Sequence, residues 1–193
     1  MAAQSNLRNM LLCLTGVCLV CASLLGAVNA VTKDIIAETA HKNLVASIAA
    51  VLPEGGELSE SQACEAAGIG EYYVLSSEGA PVAYAVKSTT NGFGGNLTLM
   101  VGVLPDGTIY NTSVLEHTET PGLGAKCTEE ESHFRTQFKG FKGALKVTKD
   151  GGEIDAITAS TITSRAFLKA VNNAYNAYKV TPTDGETGAT KQK

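Results

Sequence analysis

The chain has 193 residues, 44% of them apolar, no tryptophan and a net charge of −4 at neutral pH. This length and composition predict one folded domain with an aliphatic core and exclude a chain that is disordered throughout. The basic residues are scattered along the chain, which argues against a nucleic-acid-binding surface.

The chain begins with an apolar segment that carries no charged residue between Arg8 and Lys33. At about 1.5 Å per helical residue, this segment is long enough to cross the roughly 30 Å hydrocarbon core of a bilayer. It predicts a transmembrane anchor over residues 10–31, with residues 1–9 in the cytoplasm and the remainder exported. A cleaved secretion signal is the alternative, because Val28 and Ala30 are small enough for a signal peptidase.

A second helix, next to the membrane, is predicted over residues 32–56. Its apolar residues, among them Leu44, Ile48 and Leu52, recur at spacings of three and four, which is the period of a helix with one apolar face. Pro53 and the glycines after it are expected to end the helix.

Four short β-rich runs follow, at the start of a folded domain predicted over residues 57–180. They read EYYVLSS, PVAYAVKSTT, NLTLMVGVL and TIYNTSVLEH, and turn residues separate them, which predicts an antiparallel meander. A further strand is predicted at GALKVTKD, and a helix is predicted to begin with Thr128 as its N-cap.

The last predicted helix has an apolar stripe formed by Phe167, Val171, Ala174 and Tyr178, which step by four, three and four. Residues 181–193 contain no large apolar side chain, and we expect a disordered tail there. The predicted fold class is therefore α+β: an antiparallel sheet with flanking helices, preceded by one N-terminal transmembrane helix.

Two of the five cysteines, Cys64 and Cys127, lie in the part of the chain predicted to be exported. An oxidising compartment allows them to form a disulfide, but two cysteines do not make a disulfide framework. The sequence leaves their pairing open.

The segment DAITAST, from Asp155 to Thr161, stands directly before the last predicted helix. The start of a helix presents unpaired backbone N–H groups and the positive end of the helix dipole, so a phosphate joined to the Thr161 hydroxyl would be stabilised there. Thr158, Ser160, Thr163 and Ser164 offer further hydroxyl groups to a phosphate. The alternative is a plain N-cap, since serine and threonine are common before helices.

A second candidate segment is LEHTETPGLGAK, from Leu115 to Lys126. Glycines such as Gly124 allow a flat ring to approach the backbone, and Leu123 is placed to cover its face. On its own this segment is also explained as an ordinary loop.

Together, GFGGNLTLMVGVLPDGTIYNTSVLEHTETPGLGAK and DAITASTITSRAFLKAVNNA resemble a family of FMN-binding domains. That family is shared by RnfG, from the Rnf complex, and NqrC, from the sodium-pumping NADH:quinone oxidoreductase. The resemblance covers roughly residues 71–178. The short chain and single predicted anchor make RnfG the closer match.

The resemblance implies a covalently bound FMN whose phosphate is attached to Thr161 by a separate, magnesium-dependent flavin transferase. The motif of the family is Asp, two residues, Ser or Thr, Gly, Ala, Thr, so Ala159 and Ser160 depart from it. The tail segment DGETGAT, ending at Thr190, matches the motif letter for letter but lacks a following helix. We therefore predict attachment at Thr161. Family position implies contacts between the flavin ring and Glu119 and Thr120, in addition to the contacts of Leu123 and Gly124 inferred from the loop. Lys149 lies near the motif and is predicted to contact the phosphate or the electron-rich edge of the flavin.

The implied function is that of an electron-transfer subunit in a membrane-bound Rnf-type complex, which couples electron flow between ferredoxin and NAD to ion translocation. Such a subunit is not a complete enzyme alone, and its partners are other membrane subunits and, transiently, the flavin transferase. The expected location is the cytoplasmic (inner) membrane, with one span and the FMN domain on the extracytoplasmic, periplasmic side. The alternatives are a free-standing exported flavinylated reductase and an assembly subunit without a cofactor.

Overall fold

The computed structural model describes residues 7–64 and 68–180. The chain divides between Asn43 and Leu44 into two compact units, which are considered separately below. The tail copy of the motif, with Thr190, lies outside the described residues.

The first unit is helical, and its helix α1 continues to Val51, so that α1 spans Leu7–Val51. Large apolar side chains, including Leu11, Leu14 and Leu24, are exposed along its first part. Among the described residues, α1 is the one helix long and apolar enough to cross a membrane. The predicted anchor and the predicted helix after it are thus a single uninterrupted helix, which ends two residues before Pro53.

The second unit contains an antiparallel sheet built on a four-stranded meander: β3 (Ile69–Ser77), β4 (Ala80–Asn91), β5 (Asn96–Val103) and β6 (Ile109–His117). Two short strands, β1 (Glu57–Leu58) and β2 (Gln62–Ala63), both pair with β3. The order of the long path is β1-β3-β4-β5-β6. The predicted α+β fold with an antiparallel meander is confirmed.

The hairpin between β3 and β4 has a two-residue turn, because Ser77 pairs with Ala80. Its two turn residues, Glu78 and Gly79, have φ of 54° and 80°. Positive φ at both positions is the conformation whose twist matches that of the flanking strands.

Both faces of the sheet are covered, which explains why β5 is buried at every position after Asn96. On one face the last turns of α1 pack through Ile48, Val51 and Leu52. The other face carries the larger core, formed with the final helix α3 (Thr161–Val180). The four residues of the predicted stripe of α3 are all buried: Phe167, Val171, Ala174 and Tyr178.

The strand predicted at GALKVTKD is wrong. That segment has one isolated parallel bridge, Val147 to Ile154, and a short 3-10 helix at Thr148–Asp150. The side-chain amide of Asn172 occupies both backbone groups of Leu145, accepting from its N–H at 2.8 Å and donating to its carbonyl at 2.8 Å. A side chain of α3 therefore satisfies the hydrogen bonds that a neighbouring strand would otherwise make.

The predicted start of a helix at Thr128 is also wrong. Thr128 is the last residue of a 3-10 helix, Gly124–Thr128, and its hydroxyl donates back to the carbonyl of Ala125. The α-helix begins after Ser132, whose Oγ accepts a hydrogen bond from the Arg135 N–H, and this helix, α2, is only four residues long (His133–Thr136).

Candidate functional site

Thr161 is the first residue of α3, at the end of a tight turn. The carbonyl of Ser160 accepts the first helical hydrogen bond, from the Ser164 N–H at 3.0 Å, and the Ser160 N–H donates to the Ile157 carbonyl. The N–H groups of the first helical residues have no partner within a helix, and they carry the positive end of its dipole. The structure therefore presents Thr161 at a point that favours an anion.

The turn before Thr161 requires an unusual backbone conformation. Ala159 has a φ of 61°, the left-handed region that costs an L-residue about 1–2 kcal/mol and that glycine adopts freely. The motif of the resembling family has glycine at this position. The structure thus gives the physical reason for that glycine, and this chain adopts the same turn with alanine.

A cleft of about 360 Å³ opens beside the start of α3, and ten residues line it: Phe93, Glu119, Thr120, Leu123, Gly124, Ala159, Ser160, Thr161, Ile162 and Thr163. Its volume is at the lower end of the range typical of small-molecule sites. Three of the lining side chains are large, apolar and exposed: Phe93 at 68%, Ile162 at 54% and Leu123 at 44%. The cleft therefore combines an apolar rim with the polar start of a helix.

The cleft brings together six of the eight residues that the sequence predicts for the cofactor site: Thr161, Ser160, Glu119, Thr120, Leu123 and Gly124. A seventh, Lys149, lies outside the lining but donates from Nζ to Thr161 Oγ1 at 3.2 Å. Thr158 is exposed on the preceding turn and is not among the lining residues.

The buried side chain of Glu119 connects three segments that form the cleft. Its side chain is only 5% exposed, and Oε1 accepts from the Phe93 N–H at 2.7 Å, while Oε2 accepts from the Thr163 hydroxyl at 2.7 Å. One carboxylate thus joins the turn between β4 and β5, the loop after β6, and the first turn of α3. The sequence suggested only that Glu119 contacts a ring.

Two glycines make room for this carboxylate. A Cβ at Gly92 would collide with Glu119 Oε1, and one at Gly124 would collide with Oε2 and lie 2.7 Å from Thr163 Oγ1. Gly124 does not have a positive φ, so its requirement is one of space. The contact between the Gly124 backbone and a flat ring, expected from the sequence, stays a prediction.

Sequence reasoning missed two residues of the cleft, Phe93 and Ile162. Phe93 stands within the glycine-rich stretch NGFGGN, where an aromatic residue is a poor choice for a plain turn, and this was a usable clue. Ile162 interrupts a run of threonines and serines. Nothing in the sequence indicates that Thr163 contacts Glu119, which lies 44 positions away.

A buried arginine fixes the loop that carries Leu123 and Gly124. Arg135 donates from Nε to Thr112 Oγ1 at 3.1 Å and from Nη1 to the carbonyl of Cys127 at 3.2 Å, so it ties the 3-10 helix to β6. Burial lowers the pKa of this guanidinium. Its partners in these bonds are neutral oxygen atoms rather than carboxylates.

The two cysteines of this unit are both free, with Cys127 fully buried and Cys64 partly buried. Burial, and then the nearby Glu119 carboxylate, raise the pKa of the Cys127 thiol to about 11. At neutral pH this thiol is protonated, and it packs as a small apolar side chain.

Asp155 and His117 are not among the residues that line the cleft. The backbone of Asp155 is held by the amide of Gln137, which accepts from its N–H at 2.7 Å and donates to its carbonyl at 3.2 Å. Its carboxylate lies 3.3 Å from His133 Nε2. His117 Nδ1 accepts from the Glu119 N–H at 3.3 Å, so this histidine supports the loop.

A family model described as an FMN-binding domain matches residues 92–176, a range that contains every residue lining the cleft.

The G subunit of an ion-translocating oxidoreductase complex from Shewanella amazonensis is 36% identical over 186 residues, covering 88% of this chain and 86% of its own length. The chain belongs to this family of ion-translocating oxidoreductase subunits, the RnfG family. The family predicted from the sequence is therefore confirmed.

Other members of the RnfG family are similarly related. The G subunit of the ion-translocating oxidoreductase complex from Escherichia coli K12 is 39% identical over 166 residues, covering 78% of this chain and 81% of its own. A relative from Clostridium ljungdahlii, named as the G subunit of a proton-translocating ferredoxin:NAD(+) oxidoreductase complex, is 41% identical over 108 residues, which is 54% of this chain and 57% of its own.

Among solved structures, the C subunit of the Na(+)-translocating NADH-quinone reductase from Parabacteroides distasonis is similar to this RnfG family chain. It is 27% identical, with a TM-score of 0.47 over 61% of this chain and 65% of its own.

Proposed function

We propose that this chain carries FMN, bound covalently through a phosphoester to Thr161, and relays electrons within a membrane-bound, ion-translocating oxidoreductase complex. The observation that carries the proposal is the position of Thr161: a hydroxyl at the start of a helix, inside a cleft with an apolar rim. The RnfG family relatives and the FMN-binding domain match support it.

The residues of the cleft fit FMN at both of its ends. The first turn of α3 and the ammonium of Lys149 suit the phosphate, which keeps one negative charge as a diester. Phe93, Leu123 and Ile162 offer apolar surface to a flat aromatic ring. An apolar ring over this exposed rim would remove from water three large side chains that otherwise face it.

The other proposed contacts have distinct tasks. Ser160 and Thr158 bring hydroxyl groups to the turn beside Thr161, although Thr158 stays outside the lining of the cleft. Thr120 and Gly124 contribute the loop that faces the first turn of α3, and Glu119 fixes the positions of Phe93 and Thr163. Thr161 serves here as an attachment point, while bound FMN supplies one- and two-electron chemistry.

The proposed partners and location follow from the relatives and from α1. The names of the relatives place them in ion-translocating complexes, one of them a ferredoxin:NAD(+) oxidoreductase. We assign this chain to a complex of the same kind, anchored by α1 in the cytoplasmic membrane with the FMN domain on the extracytoplasmic side. A covalent link keeps the cofactor bound where free flavin is scarce.

The test is the mass of the intact full-length chain after coexpression with a flavin transferase. Wild type and Thr190→Ala are expected to gain the mass of one FMN residue, and Thr161→Ala to gain none. Thr161→Ala removes one partly exposed hydroxyl at the first residue of α3, whose hydrogen bond from Lys149 is open to solvent, so the variant should keep the unfolding midpoint of wild type. An FMN adduct that survives Thr161→Ala, or is lost in Thr190→Ala, would refute the assignment.

A further inference from the structure

Lys149 contacts the atom to which the flavin would be joined. Its Nζ lies 3.2 Å from Thr161 Oγ1 and donates a hydrogen bond to it. In the described part of the chain, Lys149 forms no ion pair with a carboxylate, so its charge is available to a ligand.

A compact loop places Lys149 close to Thr161. The Thr148 N–H donates to the Ile154 carbonyl at 2.9 Å, the Gly152 N–H donates to the Val147 carbonyl at 3.0 Å, and Gly151 turns the chain with a φ of 79°. These bonds close the loop on itself and fix the backbone position of Lys149 beside the start of α3.

The neighbour of Lys149 fastens this loop to α3. Asp150 accepts two hydrogen bonds from Arg165, from Nε at 2.8 Å and from Nη2 at 2.7 Å, and these bonds lower the pKa of its carboxyl. Thr161 and Arg165 are four residues apart, on one face of the helix. Two consecutive loop residues thus contact two consecutive turns of α3, and the carboxylate of Asp150 is paired with Arg165.

We propose that Lys149 makes Thr161 an efficient acceptor of the flavin phosphate. This inference rests on the proposed function. In the transfer from a flavin dinucleotide, Thr161 Oγ1 forms a bond to the flavin-side phosphorus while the pyrophosphate P–O bond breaks. Adenosine monophosphate leaves with that electron pair, and the hydroxyl proton passes to a base of the transferase or to water.

The role of Lys149 in this step is electrostatic. A protonated lysine has three donors and no acceptor, so it does not remove the proton of the hydroxyl. It instead stabilises the negative charge that grows on Oγ1 and on the phosphate oxygens during the attack. After the transfer, the same ammonium pairs with the single charge of the diester.

The experiment measures the rate of flavin attachment to the purified full-length chain, with flavin transferase, flavin dinucleotide and Mg²⁺, followed by in-gel flavin fluorescence and intact mass. Lys149→Met is expected to slow attachment at saturating transferase by about tenfold or more, for the loss of one charged stabilising contact. Lys149→Arg should recover most of the rate because it restores the charge. Lys146→Met, which removes a cation from the same segment, should load like wild type.

The outcomes separate this inference from the proposed function. Equal rates for Lys149→Met and wild type would overturn the role of Lys149, and so would an equal slowing by Lys146→Met, which would indicate a general effect of charge. If the wild-type chain gains no flavin at all, the proposed function fails instead. Thermal unfolding of each variant before loading shows whether the fold is intact, and we expect the Lys149 variants to match wild type.

Discussion

Replacing Ala159 by glycine should stabilise the protein. Ala159 adopts a φ of 61°, and the left-handed region costs an L-residue about 1–2 kcal/mol. Glycine removes this cost, but it adds about 0.5–1 kcal/mol of backbone entropy to the unfolded chain. Because Ala159 is exposed, its methyl group contributes little burial. We therefore expect Ala159→Gly to increase the free energy of unfolding by about 0.5–1 kcal/mol, which is the difference between these two terms.

The assay is thermal unfolding of the purified full-length chain in detergent, in which a gain of this size raises the midpoint by about 1–4 °C. Ala156→Gly is the matched control, because it makes the same chemical change three residues earlier, at a backbone without positive φ. The control should lose about 0.5–1 kcal/mol from backbone entropy, and more from its methyl group, which packs against the larger core. If both variants are destabilised alike, the backbone strain assigned to Ala159 is refuted.

Three further predictions concern the walls of the cleft. Glu119→Ala should lower the free energy of unfolding, measured in urea, by about 2–4 kcal/mol, because it leaves the donors of Phe93 and Thr163 without an acceptor. A loss below about 0.5 kcal/mol would contradict the role given to this carboxylate. Gly124→Ala should lower the free energy of unfolding by about 1–3 kcal/mol, because the added methyl group collides with Glu119. A variant as stable as wild type in the same measurement would contradict this collision. Cys127 is buried and should react with iodoacetamide only after unfolding. Because the pKa of its thiol rises from 9.0 to about 11 on folding, the free energy of unfolding should fall as the pH increases from about 9 to about 11. Cys127→Ala should show a shallower decline over that window, and an equal decline in both proteins would count against this assignment.

The elements that the sequence predicted correctly are those decided by local patterns. The alternating runs of β3 to β6 and the stripe from Phe167 to Tyr178 each reflect the face that a single element buries. Thr161 and the loop with Leu123 were singled out by the family resemblance, because on their own the two segments are equally explained as an N-cap and an ordinary loop.

The elements that the sequence did not predict depend on contacts between distant residues. GALKVTKD has the composition of a strand, but the Asn172 side chain takes the backbone groups of Leu145. Glu119 has the sequence context of an exposed acid near His117, and only folding brings it to donors that lie 26 and 44 positions away. The periodic pattern of a sequence does not reveal hydrogen bonds between residues this far apart.

The fit of Glu119 between Gly92 and Gly124 has a consequence for how this site changes in evolution. Each glycine is required by the reach of the same side chain, so the three positions are not independent. Shortening the acid by one methylene, as in Glu119→Asp, creates space for a methyl group at position 92, whereas at position 124 the hydroxyl of Thr163 would still be too close. Among relatives, we expect a larger residue at position 92 to occur only in chains that have a smaller residue at 119.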